Sequence, residues 1–396
     1  MQRKILIVSP IPTHPKKGGN RARVYNFLRT LERLGHDFVF LHVRQMKGDD
    51  SAMRKCWGER YQSCGYSQPF FAYSAFTRWS RQSLGMSYNY QIDEWYDAQL
   101  NVKVAELQQQ HEFDVIVAEY VFFSKVFDCF NDNVLKVIDT HDLFTDRHQR
   151  YLKNGQKPRW FSTNMMEEAK GLDRADIVIG IQEKESVELS KMTNKTVITI
   201  GHLIDVVQPQ SRTWSQDKIL FLASDNPINV HAIDSFLIDI WPTLKRELPN
   251  LCLILAGKVC DKVENSPAGV EKIGMVEDIE QLYRDVDAVI NPVLFGTGLN
   301  IKSIEALGFA KPLVTTEKGV DGLDKGFNEA FLVVQTINDW VRQLRELENN
   351  PEKYLKVCTD AHEFAKQWNK LQVAALEDML STDTHESKNL INFSLS

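Results

Sequence analysis

Short runs of consecutive apolar residues, each ending in turn residues and followed by a helical repeat, recur along most of the chain. The first is KILIVSP, from Lys4. A strand apolar on both faces must be covered on both faces, as in a parallel sheet between layers of helices. The loop IPTHPKKGGN leads into RARVYNFLRTLERLG, where Val24, Phe27, Leu28, Leu31 and Leu34 fall at helical spacing and Gly35 stops the run. HDFVFLHV reads as the next strand, which completes a βαβ unit. FDVIVAEY, VLKVIDTHD, ADIVIGIQ and KTVITIGH continue the series.

The rhythm breaks at DVVQPQSRTWSQD, from Asp205, and then restarts. KILFLAS, LCLILAGK, DAVINPV and KPLVTT read as strands; AIDSFLIDIWPTLKREL and VEDIEQLYRDV read as helices. A chain of 396 residues exceeds the usual single core. The expected organisation is α/β, with doubly wound domains over 1–207 and 216–362 and a C-terminal helix and tail over 363–396. Between Lys47 and about Leu100 the pattern weakens into an aromatic-rich stretch, read as an insertion with one or two helices.

A net charge of −6 argues against a nucleic-acid binder, although Lys16, Lys17, Arg21, Arg23, Arg29 and Arg33 form a local basic cluster. The six cysteines show no CxxC and no zinc spacing, so a reducing compartment is expected. MQRKILIVSP is too short for a signal peptide, and no apolar run spans a bilayer. The expected location is cytoplasmic, with peripheral contact to a membrane surface left open.

In parallel α/β sheets, ligands bind at the carboxyl ends of the strands. Four loops at such positions carry candidate chemistry. In GTGLNIKSIEAL, Gly296 and Gly298 let backbone amides approach a ligand, and the helix that follows favours an anion. Lys302 adds a full charge in the first helical turn, which suits a phosphate or diphosphate. Glu305 is placed to accept hydrogen bonds from neighbouring hydroxyls, as on a ribose. The competing reading is a Lys302–Glu305 surface pair, which contributes only about 0.2–0.5 kcal/mol. PTHPKKGGN places Gly18 and Gly19 at a βα junction, a weak signal alone and not a dinucleotide fingerprint. Arg21 and Arg23, just after it, read as helix-surface residues, with Arg21 within reach of a cleft as the alternative. IDTHDLFTDRHQRY puts Asp139, His141 and Asp142 near a strand end, where a metal site, an acid–base pair and a hydrogen-bonded loop are all open. EKGVDGLD, with Gly319 and Gly322, reads as a tight loop. The D-x-D at Asp285 and Asp287 lies at a helix-to-strand junction and reads as capping or surface, so no metal is implied.

GTGLNIKSIEALGFAKPLVTTEKGVDGL resembles the nucleotide-sugar site of retaining GT-B glycosyltransferases of family 4, also called glycosyltransferase group 1. FLASDNPINVHAIDSFLIDIWPTLKRELPNLCLILAG resembles the opening of that family's C-terminal domain. The resemblance covers most of 215–345, and is weaker but colinear before it. It implies two Rossmann-like domains facing across a cleft, with the final helix crossing back to the first. Glu305 matches the ribose-binding second glutamate of the E-x7-E motif. The first glutamate falls at Thr297, a departure of the GTG type in which the amides of 296–300, including Leu299 and Asn300, serve instead. Ser224 and Asn229 stand where a basic pair is expected to neutralise the diphosphate. Lys302 is then the substitute cation and Lys258 the next candidate. By the same resemblance Gly18 and Gly19 line the donor. His141 contacts a sugar or acceptor hydroxyl, with Asp142 fixing its tautomer or orienting the acceptor. Arg147 and Arg150 would approach a phosphate-bearing acceptor. Aromatics of the insertion pack on the sheet or stack on an acceptor sugar.

The implied activity is transfer of a sugar, with retention, from a nucleoside-diphosphate sugar to a carbohydrate, lipid-linked or other hydroxyl acceptor in polysaccharide or glycoconjugate biosynthesis. No cofactor and no metal are expected. The alternatives are a sugar-nucleotide epimerase and a non-catalytic sugar-nucleotide-binding protein.

Overall fold

In the computed structural model the described residues are 2–16, 18–67, 79–80, 83, 88–153, 155, 157–158, 160–209, 213–264, 266–296, 298–323 and 330–381. They divide into two compact units, one of 2–16, 20–201 and 373–381, the other of 18–19 and 202–372.

The first unit is built on a seven-stranded sheet. Its strands are β1 (Lys4–Ser9), β2 (Asp37–Val43), β3 (Tyr61–Cys64), β4 (Val115–Glu119), β5 (Leu135–Asp139), β6 (Ile177–Gly180) and β7 (Thr196–Thr199), in the order β3-β2-β1-β4-β5-β6-β7. Every neighbouring pair is parallel. Ile5, Leu6, Ile7 and Val8 are fully buried, as an apolar run covered on both faces requires. The helix Gly19–Arg33 covers one face with Val24, Phe27, Leu28 and Leu31. Each such buried side chain contributes about 1.5–3 kcal/mol.

The second unit carries β8 (Lys218–Leu222), β9 (Cys252–Ala256), β10 (Val270–Gly274), β11 (Ala288–Asn291), β12 (Leu313–Thr315) and β13 (Leu332–Val333). They form a parallel sheet ordered β10-β9-β8-β11-β12-β13. Ile219, Phe221, Leu253, Leu255, Ile290 and Val314 meet Trp241 and Trp340 in its core. In each sheet the strand order reverses once, between β1 and β4 and between β8 and β11. Such reversals leave a crevice at the carboxyl ends.

Three of the four edge strands, β3, β10 and β13, escaped the sequence pattern. β3 lies inside the stretch read as an insertion, and only Tyr61 of its residues is buried. β10 is mostly exposed, and β13 is two residues long. The helix Asp50–Trp57 also falls in the insertion. There Trp95 packs edge-on against Tyr90, Phe122, Trp160 and Phe161, so these described aromatics serve burial. Residues 68–78 of the same stretch lie outside the described set. The run AIDSFLIDIWPTLKREL is helical, but a π-turn at Phe236–Ile240 precedes Pro242. Proline lacks an N–H and crowds the carbonyl four residues back, which accounts for the widened turn. The C-terminal helix runs Pro351–Ser381, and Arg3 Nε donates to the Leu380 carbonyl at 2.9 Å. Among the described residues no helix is long and apolar enough to cross a membrane.

Candidate functional site

The crevice at the ends of β8 and β11 gathers three predicted residues into one chain of hydrogen bonds. Ser224 follows β8, and Asn229 lies in the first turns of the helix Pro227–Ser235. The cap Asn226 accepts from Ile228 N at 3.0 Å and Pro227 presets the first turn, so this helix start is rigid. Asn229 Nδ2 donates to Ser224 Oγ at 3.2 Å and to its carbonyl at 3.3 Å. Asn229 Oδ1 accepts from Lys302 Nζ at 2.6 Å.

Lys302 as a residue is half-buried, but its ammonium sits below the surface, 5.2 Å from the centre of the Phe221 ring. Desolvation lowers its pKa to about 7. Among the described residues no carboxylate lies within ion-pair reach of Nζ. Glu305 turns elsewhere: its Oε1 lies 3.7 Å from Nε2 of the buried His202. The surface pair Lys302–Glu305 is therefore not formed, and among the described residues the partner of the ammonium is a neutral amide.

The turn before that helix is open backbone. Gly296 and Gly298 have φ of 140° and 80°, which side-chain-bearing residues rarely adopt. Asn300, at the N-cap of the helix Ile301–Gly308, makes no capping bond and instead donates to the Lys318 carbonyl at 2.9 Å. The amides of Ile301 and Lys302 make no hydrogen bond among the described residues, while that of Ser303 donates to the Asn300 carbonyl at 2.9 Å, and the helix dipole there favours an anion. Leu299 is buried beneath the turn. Thr297 lies outside the described residues.

The turn is anchored from below. Asn291 Nδ2 donates to Ser303 Oγ at 2.8 Å, and Ser303 Oγ donates to the Gly319 carbonyl at 2.6 Å. Gly319 is obligatory there, since a Cβ would fall 2.0 Å from Thr315 Oγ1 and 2.8 Å from the Asn291 carbonyl. Lys258 follows β9 but is exposed and makes no hydrogen bond or ion pair among the described residues.

A second cluster occupies the ends of β4 and β5 in the first unit. Glu119 and Asp139 are paired in register, and both are fully buried. His141 Nε2 bonds Glu119 Oε2 and lies 3.8 Å from Asp139 Oδ2. Burial raises the Glu119 pKa, with the His141 ring pulling the other way. Tyr120 stacks on the His141 ring with centroids 4.3 Å apart. Tyr120 and His141 have φ of 73° and 60°. Left-handed backbone at such residues costs on the order of 1–3 kcal/mol each and persists where the surroundings over-determine it.

Arg23 closes this cluster from the helix Gly19–Arg33. Its Nε and NH2 nitrogens donate to the two Asp139 oxygens at 2.8 Å each, and the guanidinium also reaches the carbonyls of Ile200 and Gly201 at 2.9 Å. Arg23 is 3% exposed, which corrects its reading as a helix-surface residue. Arg21 is held too, donating to the His14, Pro15 and Lys47 carbonyls across the loop. Glu119, Asp139 and His141 offer ligand atoms within 4.8 Å of one another, but Arg23 already takes both oxygens of Asp139.

Asp142 does not hold His141. Its Oδ2 accepts from Arg147 Nε at 2.7 Å and its Oδ1 from Leu143 N at 3.0 Å. Glu168 shapes the same loop, accepting from Phe144 N at 2.9 Å and Thr145 Oγ1 at 2.5 Å, and desolvation raises its pKa to about 7. The partner of the His141 ring is Glu119, from a different strand, which sequence reading missed because FDVIVAEY showed only a strand ending.

Residues 216–350 match the family model described as glycosyl transferases group 1. Residues 216–350 are a glycosyltransferase group 1 domain. A comparison against curated protein sequences finds no match. Solved structures are similar over nearly the whole chain. TarM of S. aureus, in complex with fondaparinux, α-GlcNAc-glycerol and UDP, has a TM-score of 0.68 at 12% identity, covering 96% of this chain and 100% of its own. HepE of Anabaena, with UDP and glucose, gives 0.63 at 15%, covering 96% and 100%. The pneumococcal O-GlcNAc transferase GtfA, with UDP and GlcNAc, gives 0.62 at 11%, also covering 96% and 100%. The fold is GT-B.

The glycosyltransferase group 1 domain contains Ser224, Asn229, Lys258, Lys302 and Glu305, whereas Gly18, Gly19, His141 and Asp142 lie before the matched segment. Gly18 has a φ of 129°, and Gly19 opens the first helix. Within the domain Asp287 is buried rather than superficial: its carboxylate accepts from the amides of Ser215, Gln216 and Lys218 at 3.1, 2.9 and 3.2 Å. Asp285 accepts from Gln281 Nε2 at 2.8 Å. The D-x-D thus braces the entrance to β8 and the end of a helix.

Proposed function

We propose that this protein transfers a sugar, with retention, from a uridine-diphosphate sugar to an acceptor hydroxyl in polysaccharide or glycoconjugate biosynthesis. The observation that carries the reading is the Ser224–Asn229–Lys302 chain, a cation without a carboxylate partner beside an open glycine turn in a group 1 domain. The choice of uridine rests on TarM, HepE and GtfA, each described with UDP.

In the reaction the bond from the anomeric carbon to the β-phosphate oxygen breaks, and its electron pair leaves with UDP. A bond forms to the acceptor oxygen, and its proton passes to the departing β-phosphate oxygen. Charge grows on the diphosphate, so a fixed cation and backbone amides aimed at it lower the barrier. Lys302 and the amides of 296–300 take that task, and Glu305 holds the ribose hydroxyls. Gly18 and Gly19 approach the donor. Ser224 and Asn229 orient Lys302, and Lys258 is a mobile-chain cation nearer the solvent. His141 contacts a hydroxyl of the transferred sugar or the acceptor. Asp142, neutralised by Arg147, shapes that loop.

Incubation with UDP-glucose, UDP-N-acetylglucosamine and UDP-galactose is expected to release UDP from at least one of them, and to do so in EDTA. Recovery of an isomerised nucleotide sugar would favour an epimerase, and tight UDP binding without any turnover would favour a non-catalytic binder. His141→Ala is expected to keep UDP affinity and lower turnover by about tenfold, the worth of one lost hydrogen bond. Unchanged turnover removes His141 from the site.

A further inference from the structure

His141 is held by one ring nitrogen. Nε2 points inward to Glu119, while Nδ1 makes no hydrogen bond among the described residues. The ring plane is fixed by Tyr120, stacked 4.3 Å away at 21°. Asp139, the other acid in range, has both oxygens engaged by Arg23 at 2.8 Å and stands 3.8 Å from Nε2. Glu119 is fully buried, and its Oε1 has no hydrogen-bond partner, so the His141 ring is the donor its carboxylate has.

We propose that Glu119 is the positioning residue that decides which face of His141 meets a ligand, holding Nε2–H inward and presenting Nδ1 outward as a hydrogen-bond acceptor. The inference rests on the reading of His141 as a ligand-facing group. An ionised carboxylate has no hydrogen to give, so with Glu119 ionised the hydrogen between the two groups is carried by Nε2. The nitrogen opposite then carries a lone pair, because one ring nitrogen of a neutral imidazole donates and the other accepts. A lone pair at Nδ1 selects a ligand that donates, which is what a sugar or acceptor hydroxyl does. The register of β4 against β5 makes this arrangement: Glu119 and Asp139 end adjacent strands, and Arg23 neutralises one so that the other is left for the histidine.

The test is the tautomer of His141 in full-length protein labelled with 15N-histidine, its signals assigned with His141→Asn. Wild-type protein is expected to show a protonated Nε2 and an unprotonated Nδ1. Glu119→Gln, whose amide serves either tautomer, is expected to populate the Nδ1–H form, and Glu119→Asp is expected to keep the wild-type form. Turnover of the donor, read as UDP release from UDP-glucose, should fall about 10- to 100-fold in Glu119→Gln at unchanged UDP affinity, the range for losing a tautomer-fixing partner. A wild-type ring protonated at Nδ1, or a Glu119→Gln ring identical to wild type, overturns the proposal; the first needs no variant to fold. A changed tautomer with unchanged turnover supports the positioning by Glu119 and overturns the role given to His141 instead.

Discussion

Lys302→Met is expected to weaken binding of UDP-glucose about 10- to 100-fold, because a charge-assisted hydrogen bond contributes about 1.5–3 kcal/mol. Methionine keeps an unbranched apolar chain of similar length and removes the ammonium, which lies 5.2 Å from the centre of the Phe221 ring. The large effect follows from what surrounds the lysine. Its partner is the neutral amide of Asn229, at 2.6 Å, so the charge is not already spent on a protein carboxylate. The pH dependence has a definite sign. Burial lowers the Lys302 pKa to about 7 in the absence of ligand, and a diphosphate favours the charged form. Affinity for UDP-glucose should therefore be highest below about pH 7 and fall as the pH rises through and above it, a trend that Lys302→Met abolishes. Calorimetry across that range checks both statements. A pH-independent affinity equal in the two proteins removes Lys302 from the phosphate site.

Arg23→Ala is expected to destabilise the protein by about 3–5 kcal/mol, the usual penalty for stripping one partner from a buried ion pair. Asp139 would remain fully buried, with its carboxylate deprived of two hydrogen bonds at 2.8 Å. The carbonyls of Ile200 and Gly201 would lose their donor as well. Replacing both partners, Arg23→Met with Asp139→Leu, is expected to restore much of the loss, because no charge is then left without a counterpart. Urea denaturation of the single and double variants makes the comparison. A double variant no more stable than Arg23→Ala would mean that Arg23 acts through packing rather than charge.

The parts of the fold legible in the sequence were those written in local periodicity. KILIVSP, VLKVIDTHD and DAVINPV are buried on both faces and read as strands without ambiguity. β3 and β10 lie at sheet edges, carry few apolar residues and left no comparable trace, and β13, at another edge, is only two residues long. The same distinction holds at the site. Gly296, Gly298, Lys302 and Glu305 form one local motif, and GTGLNIKSIEAL announced them together. Ser224 and Asn229 were noticed only as residues standing where cations were expected. The bond from Lys302 to Asn229 spans 73 residues, and sequence adjacency carries no record of it. Glu119 and Arg23 illustrate the same limit more sharply. An acid at a strand end and an arginine amid a basic cluster look superficial in the sequence, and tertiary packing alone buries them around His141. Asp142, adjacent in sequence, was the natural guess for the histidine's partner, and Arg147 holds it instead.

On the proposed function, the polar chain ending in Lys302 receives the diphosphate of a uridine nucleotide. Calorimetric titration of the wild-type protein with UDP, GDP and dTDP tests it most directly. Saturable binding of UDP is expected, stronger than of the other two and weakened in Lys302→Met. Absence of binding by all three, or binding that Lys302→Met leaves unchanged, would contradict it.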